Sequence, residues 1–418
     1  ATPAIAGSTI ALTTKTDSMT GGAGADTING VLQQNGATGT TAAPGDSVSG
    51  GADVDTLSIS VAGTLTAAYT LAALTTSSVE KVVLSNFETS AFNNVVDTSL
   101  MTGITHAGLT ASSATGDTQF TNLKNLVEAE MQNGSGDLTL TYGTAVVAGT
   151  TDSQTLNVSN TTAGTFTAAG VETVNVNTGL LASTLTAITA ANATKITATG
   201  ATALTVSTAL TQATIDASAM TGAFTVTAGS AVQAISGGTG NDTIDMVATL
   251  TSSDVIKGGL GTDTMNLSVA GTIDATATTG ELIGVSGIET IQVSSTADAA
   301  KLDLTGFAGV TNVNAAANVK TVTITTAPGT TTETISFVLN GVTSTTAAVG
   351  ANNVSASASK IATTIDALSG FSATSLIGVV TVTAVTNEAV ATNDEDEDAD
   401  AKKIKKIKKE HEEHEEQV

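Results

Sequence analysis

The sequence contains no Cys, no Trp and no Arg, and aromatic residues make up 2% of its 418 positions. Without Cys, a disulfide scaffold and a thiolate metal site are impossible. Positive charge is equally scarce: all 14 cationic residues are Lys, against 38 Asp plus Glu, for a formal net charge of −24. A nucleic-acid surface needs clustered cations to neutralise phosphates, so that class is excluded. Apolar runs are short and interrupted by Thr, so no membrane span is expected. With 2 Tyr and 8 Phe, a core must come from Val, Ile, Leu and Ala. What is abundant is Gly, at 41 residues, and Thr, at roughly one residue in five. A hydrophobic content of 41% is too high for a wholly disordered acidic chain. Thin, repetitive β layers suit this supply of small side chains.

Internal repetition organises the chain. Residues 46–65, DSVSGGADVDTLSISVAGTL, align without a gap with 254–273, DVIKGGLGTDTMNLSVAGTI, at an offset of 208. Each is preceded by a Gly-rich nonapeptide, at 21–29 and 237–245, and followed by a related strand, at 79–86 and 288–295. A third copy, 155–160 with 171–178, keeps the strands and lacks the Gly loops. Another element recurs at 96–103, 215–222 and 302–309. Within these units Leu57, Ile59 and Val61 alternate with Ser58 and Ser60, and Val174 and Val176 alternate with Thr173, Asn175 and Asn177. Period-two patterning with β-branched residues gives strands, and Gly, Asn and Asp supply the turns.

The expected fold is therefore all-β, a right-handed parallel β-helix or β-roll solenoid with glycine-rich turns, whose stacked rungs bury each other's apolar side. A string of β-sandwich domains is the competing architecture, and it calls for longer strands and more aromatics. A small C-terminal α/β unit is expected at 329–388: strand 333–339, a tight turn at Asn340–Gly341, a helix within 355–370 and a strand at 377–385. The division expected is a first roll at 1–90, solenoid rungs at 91–236, a second roll at 237–328, the α/β unit and a charged tail at 389–418. That tail, with His411 and His414 three apart, reads as a solvated segment or short helix. Residue 1 is Ala and no leader-like segment precedes it, so the chain reads as a fragment or processed product.

Three segments match G-G-x-G-x-D-x-U-x, where U is a large apolar residue: Gly21–Asn29, Gly237–Asp245 and Gly258–Asn266. A fourth, Gly50–Ser58, carries Asp53 in place of the third Gly. Gly lets the backbone turn tightly, the sixth-position Asp supplies a carboxylate, and the apolar residue anchors the loop in the core. Carboxylate and carbonyl oxygens are hard ligands of the kind Ca²⁺ requires. Candidate ligand positions are Gly22, Gly24, Asp26, Asp46, Gly51, Asp53 and Asp55 in the first copy. In the second they are Gly238, Gly240, Asp242, Asp254, Gly259, Gly261 and Asp263. One small Ca²⁺ cluster per copy is expected, with Asp242, Asp254 and Asp263 converging and Ile244, Ile256 and Met265 stacked beneath them. The competing reading of these glycines is turn chemistry alone.

Other polar residues point away from catalysis. His106 has no Ser or Asp partner in a nucleophile motif. Glu80, Glu172 and Glu289 are equivalent positions of a repeat, and a structural hydrogen bond is their expected role. Asp97, Asp216 and Asp303 are likewise repeat-equivalent and are expected to cap turns. No catalytic residue is assigned, and the chain is not expected to be an enzyme.

GGAGADTIN, GGTGNDTID and GGLGTDTMN resemble RTX repeats, and their setting among Thr/Ala/Val-rich rungs with GVETVNVN at 170–177 resembles bacterial surface-layer proteins exported by type I secretion. The resemblance covers about 21–310. It implies rolls that fold on Ca²⁺ outside the cell, with Asp26, Asp55, Asp242, Asp254 and Asp263 as carboxylate ligands. It also implies a secreted cell-surface (S-layer) protein that forms a two-dimensional lattice of itself, with cell-surface polysaccharide as a further partner. The alternative is a calcium-stabilised adhesin or biofilm matrix protein on the same scaffold. The nonapeptide clusters are shorter and more interrupted than the long rolls of RTX toxins, and the charged tail does not resemble a type I secretion signal. The 333–385 segment bears a slight resemblance to small domains of phage-tail and adhesin-like proteins.

Overall fold

A computed structural model describes residues 6–33, 39–63, 69–71, 74–89, 93–246, 250–268, 272–274, 280–294, 300–304 and 309–315. Beyond these it describes strand backbones at 319–325, 336–339, 342–345, 371–376 and 379–384. The chain winds as a parallel β-solenoid. One sheet of 13 strands runs along most of the coil, from Thr9–Ala11 to Val285–Ser286. Facing strands form a 3-stranded, a 6-stranded and a 9-stranded sheet in succession, and a 5-stranded sheet starts at Thr272–Asp274. Among the described residues the only helical element is the short 3-10 turn Glu281–Gly284. None of the helices described is long and apolar enough to cross a membrane.

The period-two pattern fixes which side chains enter the coil. In Thr173–Thr178, Val174 and Val176 are fully buried while Asn175 and Asn177 face outward. Parallel register then stacks like on like. Ile28, Leu57, Val82, Ala107, Ala129, Leu156 and Val176 are successive partners down the long sheet. From Val174 a second column continues through Ile196, Ile215, Ile235, Ile256 and Val285. Across the coil, Leu185, Val206, Val226, Ile244, Met265, Ile291 and Val313 form the matching column. Adjacent strands lie about 4.8 Å apart, so branched aliphatic side chains pack rung on rung without aromatics to fill wide gaps. Among the described residues the exceptions are Phe120, Phe166 and Phe224, each fully enclosed, and the buried Tyr142.

Outward positions carry polar ladders. Asn177 Nδ2 donates to Asn157 Oδ1 at 3.0 Å, and the Thr199 hydroxyl donates to Asn177 Oδ1 at 2.8 Å. One register to the side, Asn175 Nδ2 donates to Ser153 Oγ at 2.7 Å and Thr197 donates to Asn175 Oδ1 at 2.6 Å. Identical spacing of identical rungs makes these bonds repeat, which accounts for the Thr, Ser and Asn content.

At the C-terminal end, Ser336–Leu339 and Val342–Thr345 pair antiparallel, and Ser336–Leu339 also pairs parallel with Asn312–Ala315; the tight turn expected at Asn340–Gly341 lies outside the described residues. The expected strand appears as Val379–Ala384, antiparallel to both Phe371–Leu376 and Val319–Thr325. The helix expected within 355–370 and the tail at 389–418 lie outside the described residues.

The two faces of a rung differ sharply in what they contribute. Phe166→Ala is expected to lower unfolding free energy by about 3–5 kcal/mol, because its cavity lies inside a stacked core. Thr199→Ala removes one half-buried hydrogen bond of an outward ladder and is expected to cost about 1 kcal/mol. Urea denaturation of both variants checks this; similar costs would mean that the assigned inward and outward faces are wrong.

Candidate functional site

The glycine loops fold each sixth-position carboxylate back over its own turn. Asp26 accepts the backbone N–H of Gly22 and of Ser8. Asp242 accepts the N–H of Gly238 at 2.6 Å and of Phe224 at 2.7 Å. The first glycine of each motif is required by this fold-back. A Cβ on Gly237 would meet Asp242 Oδ2 at 2.3 Å and the Gly258 carbonyl oxygen at 2.1 Å. In the upper loops Gly51 and Gly259 also take φ of +119° and +115°. A Cβ on either would lie 2.1 Å from the carbonyl oxygen of the loop below, that of Gly22 or Gly238. Asp53 occupies the third-glycine position with φ +69°, a left-handed conformation that Asp tolerates better than most residues. Gly261, its counterpart, has φ +127°.

Successive loops stack, and the acids stack with them. The Asp26 N–H donates to Asp55 Oδ1 at 2.7 Å, and the Asp55 N–H donates to Glu80 Oε2 at 2.9 Å. In the second copy the Asp242 N–H donates to Asp263 Oδ1 at 2.8 Å, and the Asp263 N–H donates to Glu289 Oε2 at 2.8 Å. The third copy keeps the last step: the Asp152 N–H donates to Glu172 Oε2 at 2.8 Å. Glu80, Glu172 and Glu289 therefore have the structural hydrogen bond expected of them. The two full stacks sit at different corners of the coil. The first opens strands of the 13-stranded sheet, Thr27–Gln33, Thr56–Gly63 and Lys81–Glu88, whereas the second opens strands of the 9-stranded sheet, Thr243–Asp245, Thr264–Ser268 and Thr290–Ser294.

The expected convergence of Asp242, Asp254 and Asp263 does not occur, and in the first copy Asp46 likewise stands apart from Asp26 and Asp55. Asp46 accepts the N–H of Asp17 at 2.9 Å and of Ala43 at 2.8 Å. Asp254 accepts the N–H of Gln233 at 2.7 Å and of Thr251 at 2.7 Å. Both stand at the start of a three-residue strand whose far end leads into the glycine loop, Ser47–Ser49 or Val255–Lys257. One full turn of the coil separates Asp242 from Asp263, which are 21 residues apart. Asp254 belongs to the intervening half-turn. Ile256 accordingly stacks on Ile235, while Ile244 stacks on Met265.

Stacked acids without cations carry an electrostatic cost, and it falls on the middle member. Burial pushes the Asp263 carboxyl up to about 6 against the Asp242 amide hydrogen bond, and the Asp242 and Glu289 carboxylates add to the rise. Asp55 is raised by the same causes, burial first, then the charges of Asp26, Glu80 and Asp53. Burial also raises Asp242. Asp26 moves the other way, held down by the Gly22 and Ser8 amides. Asp55 and Asp263 are fully buried, and in each the Oδ2 atom has no hydrogen-bond partner. These two orphaned oxygens occupy equivalent places in the two copies.

As a calcium site the arrangement fits in part. Among the described residues no three His, Cys, Asp or Glu side chains meet around one point that could hold a metal ion. The side chains that fit are Asp55 and Asp263, each with a buried, unsatisfied carboxylate oxygen beside a second acid. Asp46 and Asp254 do not fit as ligands of the same ion, since both oxygens of each are committed to backbone amides on the other half-turn.

Residues that pattern matching passed over do related work. Asp117 accepts the Asp137 N–H at 2.9 Å and Asp137 accepts the Thr165 N–H, a further turn ladder marked in sequence by Gly116–Asp117 and Gly136–Asp137. Gln233 binds the carbonyls of Leu210 and Gln212, both at 2.8 Å, where the first copy has Asp17. Asp97 and Asp216 cap turns as expected, accepting the N–H of Ser99 at 2.9 Å and of Ser218 at 3.2 Å. His106 lies on the outer surface, with Nε2 3.1 Å from Glu128 and Nδ1 2.9 Å from the Thr105 hydroxyl. No protein-family model matches the chain, and no curated protein matches it.

Two outcomes follow from this geometry. A carboxyl raised in the folded state binds more protons there than in the unfolded chain between its two pKa values. Asp263 therefore stabilises the metal-free fold fully below about pH 4, and that contribution is lost as pH rises to about 6. Urea midpoints in chelator should show a smaller decline over this interval for Asp263→Asn than for the native sequence; parallel curves would refute the assignment. Separately, Gly259→Ala is expected to lower the melting midpoint strongly. Gly22→Ala should be nearly silent, because its Cβ meets nothing nearer than Asp26 Oδ2 at 3.8 Å.

Proposed function

We propose that this chain is a calcium-stabilised structural protein of the bacterial cell surface that assembles with copies of itself into an S-layer-type lattice. The observation that carries the calcium part is the pair of equivalent acid stacks, Asp26–Asp55–Glu80 and Asp242–Asp263–Glu289, each with one buried and unpartnered carboxylate oxygen. A bound Ca²⁺ would supply the positive charge that the stacks lack. Asp55 and Asp263 would hold it from the middle of each stack. Glu80 and Glu289 orient those residues through their backbone amides, while Asp46 and Asp254 keep the opposite half-turn closed. A bare stack resists complete ionisation, and cation binding removes that resistance, so calcium binding and completion of the fold are coupled.

The structural role is supported by the architecture. A coil whose polar outer rows repeat at every turn offers long, regular faces to a neighbour of the same kind. The RTX-like nonapeptides point to export before folding, with calcium outside the cell as the trigger. An adhesin or biofilm matrix role would use the same scaffold as a soluble ligand binder.

Chelation is expected to lower the melting midpoint by more than about 10 °C, with Mg²⁺ failing to restore it because Mg²⁺ demands octahedral geometry and dehydrates reluctantly. Electron microscopy of the purified chain in millimolar Ca²⁺ should show ordered sheets. Identical melting curves in chelator and in Ca²⁺ would sink the calcium reading, and persistent soluble monomers would favour the adhesin.

A further inference from the structure

The 3-stranded sheet stops partway along the coil, and its last rung has no strand to cover it. Met19, Val48, Thr76 and Met101 are successive partners along this side, the last through a single parallel bridge. One turn further on, residues 124–127 form a bend instead of a strand. Chain length is the reason. Residues 98–105 lead from Asp97 to His106, whereas 122–127 lead between their partners Thr121 and Glu128, two residues fewer. The shorter connection cuts the corner, and a cavity of about 140 Å³ remains between the two turns.

The lining is largely hydrocarbon. Met101 and Ile104 of one turn and Leu123 and Val127 of the next are all buried. The two threonines of the lining have committed their hydroxyl protons elsewhere. Thr98 Oγ1 donates to the Thr121 carbonyl at 2.7 Å, and Thr102 Oγ1 to the Thr76 carbonyl at 3.0 Å. Lys124 bridges the two turns, its Nζ donating to the Ser99 carbonyl at 2.7 Å, so its alkyl stem adds to the apolar wall. Exposed Gly103 and Asn125 stand with it at the mouth, and no Asp or Glu lines the cavity. These partners decide the occupant. An enclosed water needs about two to four polar partners, and committed hydroxyls supply few. A cation would find no carboxylate, and an anion would have to approach a chain of net charge −24. A neutral apolar guest gives up no polar contact on entry and restores the dispersion contacts that an empty cavity forfeits. An apolar protein cavity of about 150 Å³ has room for benzene. Met101, unbranched and polarizable, can repack around such a guest.

We propose that this cavity is a binding site for a small neutral apolar molecule, aromatic or aliphatic, of benzene size. It goes beyond the calcium and lattice reading and depends on neither, since the cavity shares no residue with either acid stack.

The experiment is methyl NMR of the full chain carrying labelled methionine, titrated with benzene at fixed calcium. The chain has 6 Met, of which Met101 lines the cavity. Its signal is identified by its loss in Met101→Leu. The ring current of bound benzene is expected to shift that signal saturably and to leave the other methionines in place, and benzene should raise the melting midpoint. Benzoate and benzylammonium, of similar shape but charged, should do neither. Val127→Phe and Leu123→Phe fill the cavity from its second turn and should abolish the benzene shift, with the other methionine signals reporting that each variant is folded. The proposal is overturned by an unmoved Met101 signal at saturating benzene, by all methionine signals moving alike, by an equal response to benzoate, or by a shift that survives in a folded filled variant. The native-chain titration decides by itself if neither variant folds. Calcium-dependent melting that persists when benzene fails to bind would leave the calcium reading standing.

Discussion

Backbone hydrogen bonding from each turn of the coil to the next is the constraint on which everything else depends. A parallel strand cannot satisfy its amides and carbonyls alone, so each rung is completed by its neighbours. Once that register is set, side chains have no freedom to choose partners. Apolar residues stack into columns, Asn and Thr into ladders, and acids into stacks. The same geometry serves the core and the candidate ion sites, and for that reason a chain with so few aromatics can enclose a continuous interior.

The acid stacks show this constraint working against electrostatics. Each sixth-position Asp is useful to the fold because its carboxylate accepts backbone amides that a tight glycine turn would otherwise leave unpaired. Asp26 and Asp242 do this with both oxygens. Repeating the device on the next rung brings like charges together in a buried place, which raises Asp55 and Asp263. The turn ladder and the proposed cation site are thus built from the same residues.

Much of the fold was legible in the sequence because solenoid stability is local. Val174 and Val176 alternate with Asn175 and Asn177, and nothing beyond the neighbouring rungs is needed to decide which pair faces inward. The repeat-equivalent Glu80, Glu172 and Glu289 were recognisable as structural for the same reason. The candidate site was legible as residue types and only partly as geometry. Counting nine residues between aspartates suggested that Asp254 and Asp263 share a site, but neighbours in sequence sit on opposite half-turns. The partner that matters is one full turn away, 21 residues for Asp242 and Asp263 and 29 for Asp26 and Asp55.

By itself, the sequence determined the strand class, the inward and outward faces, the glycine turns and the acidic, cation-poor surface, since these follow from local sterics, period-two patterning and composition. Tertiary structure alone decided which acids stack, which carboxylate oxygens are left without partners, and that Met101, Ile104, Leu123 and Val127 line one cavity. The physical reason is the length of a turn. It varies from 20 to 29 residues between successive stacked acids, so loop excursions of unequal length set which residues meet, and no fixed sequence period records them.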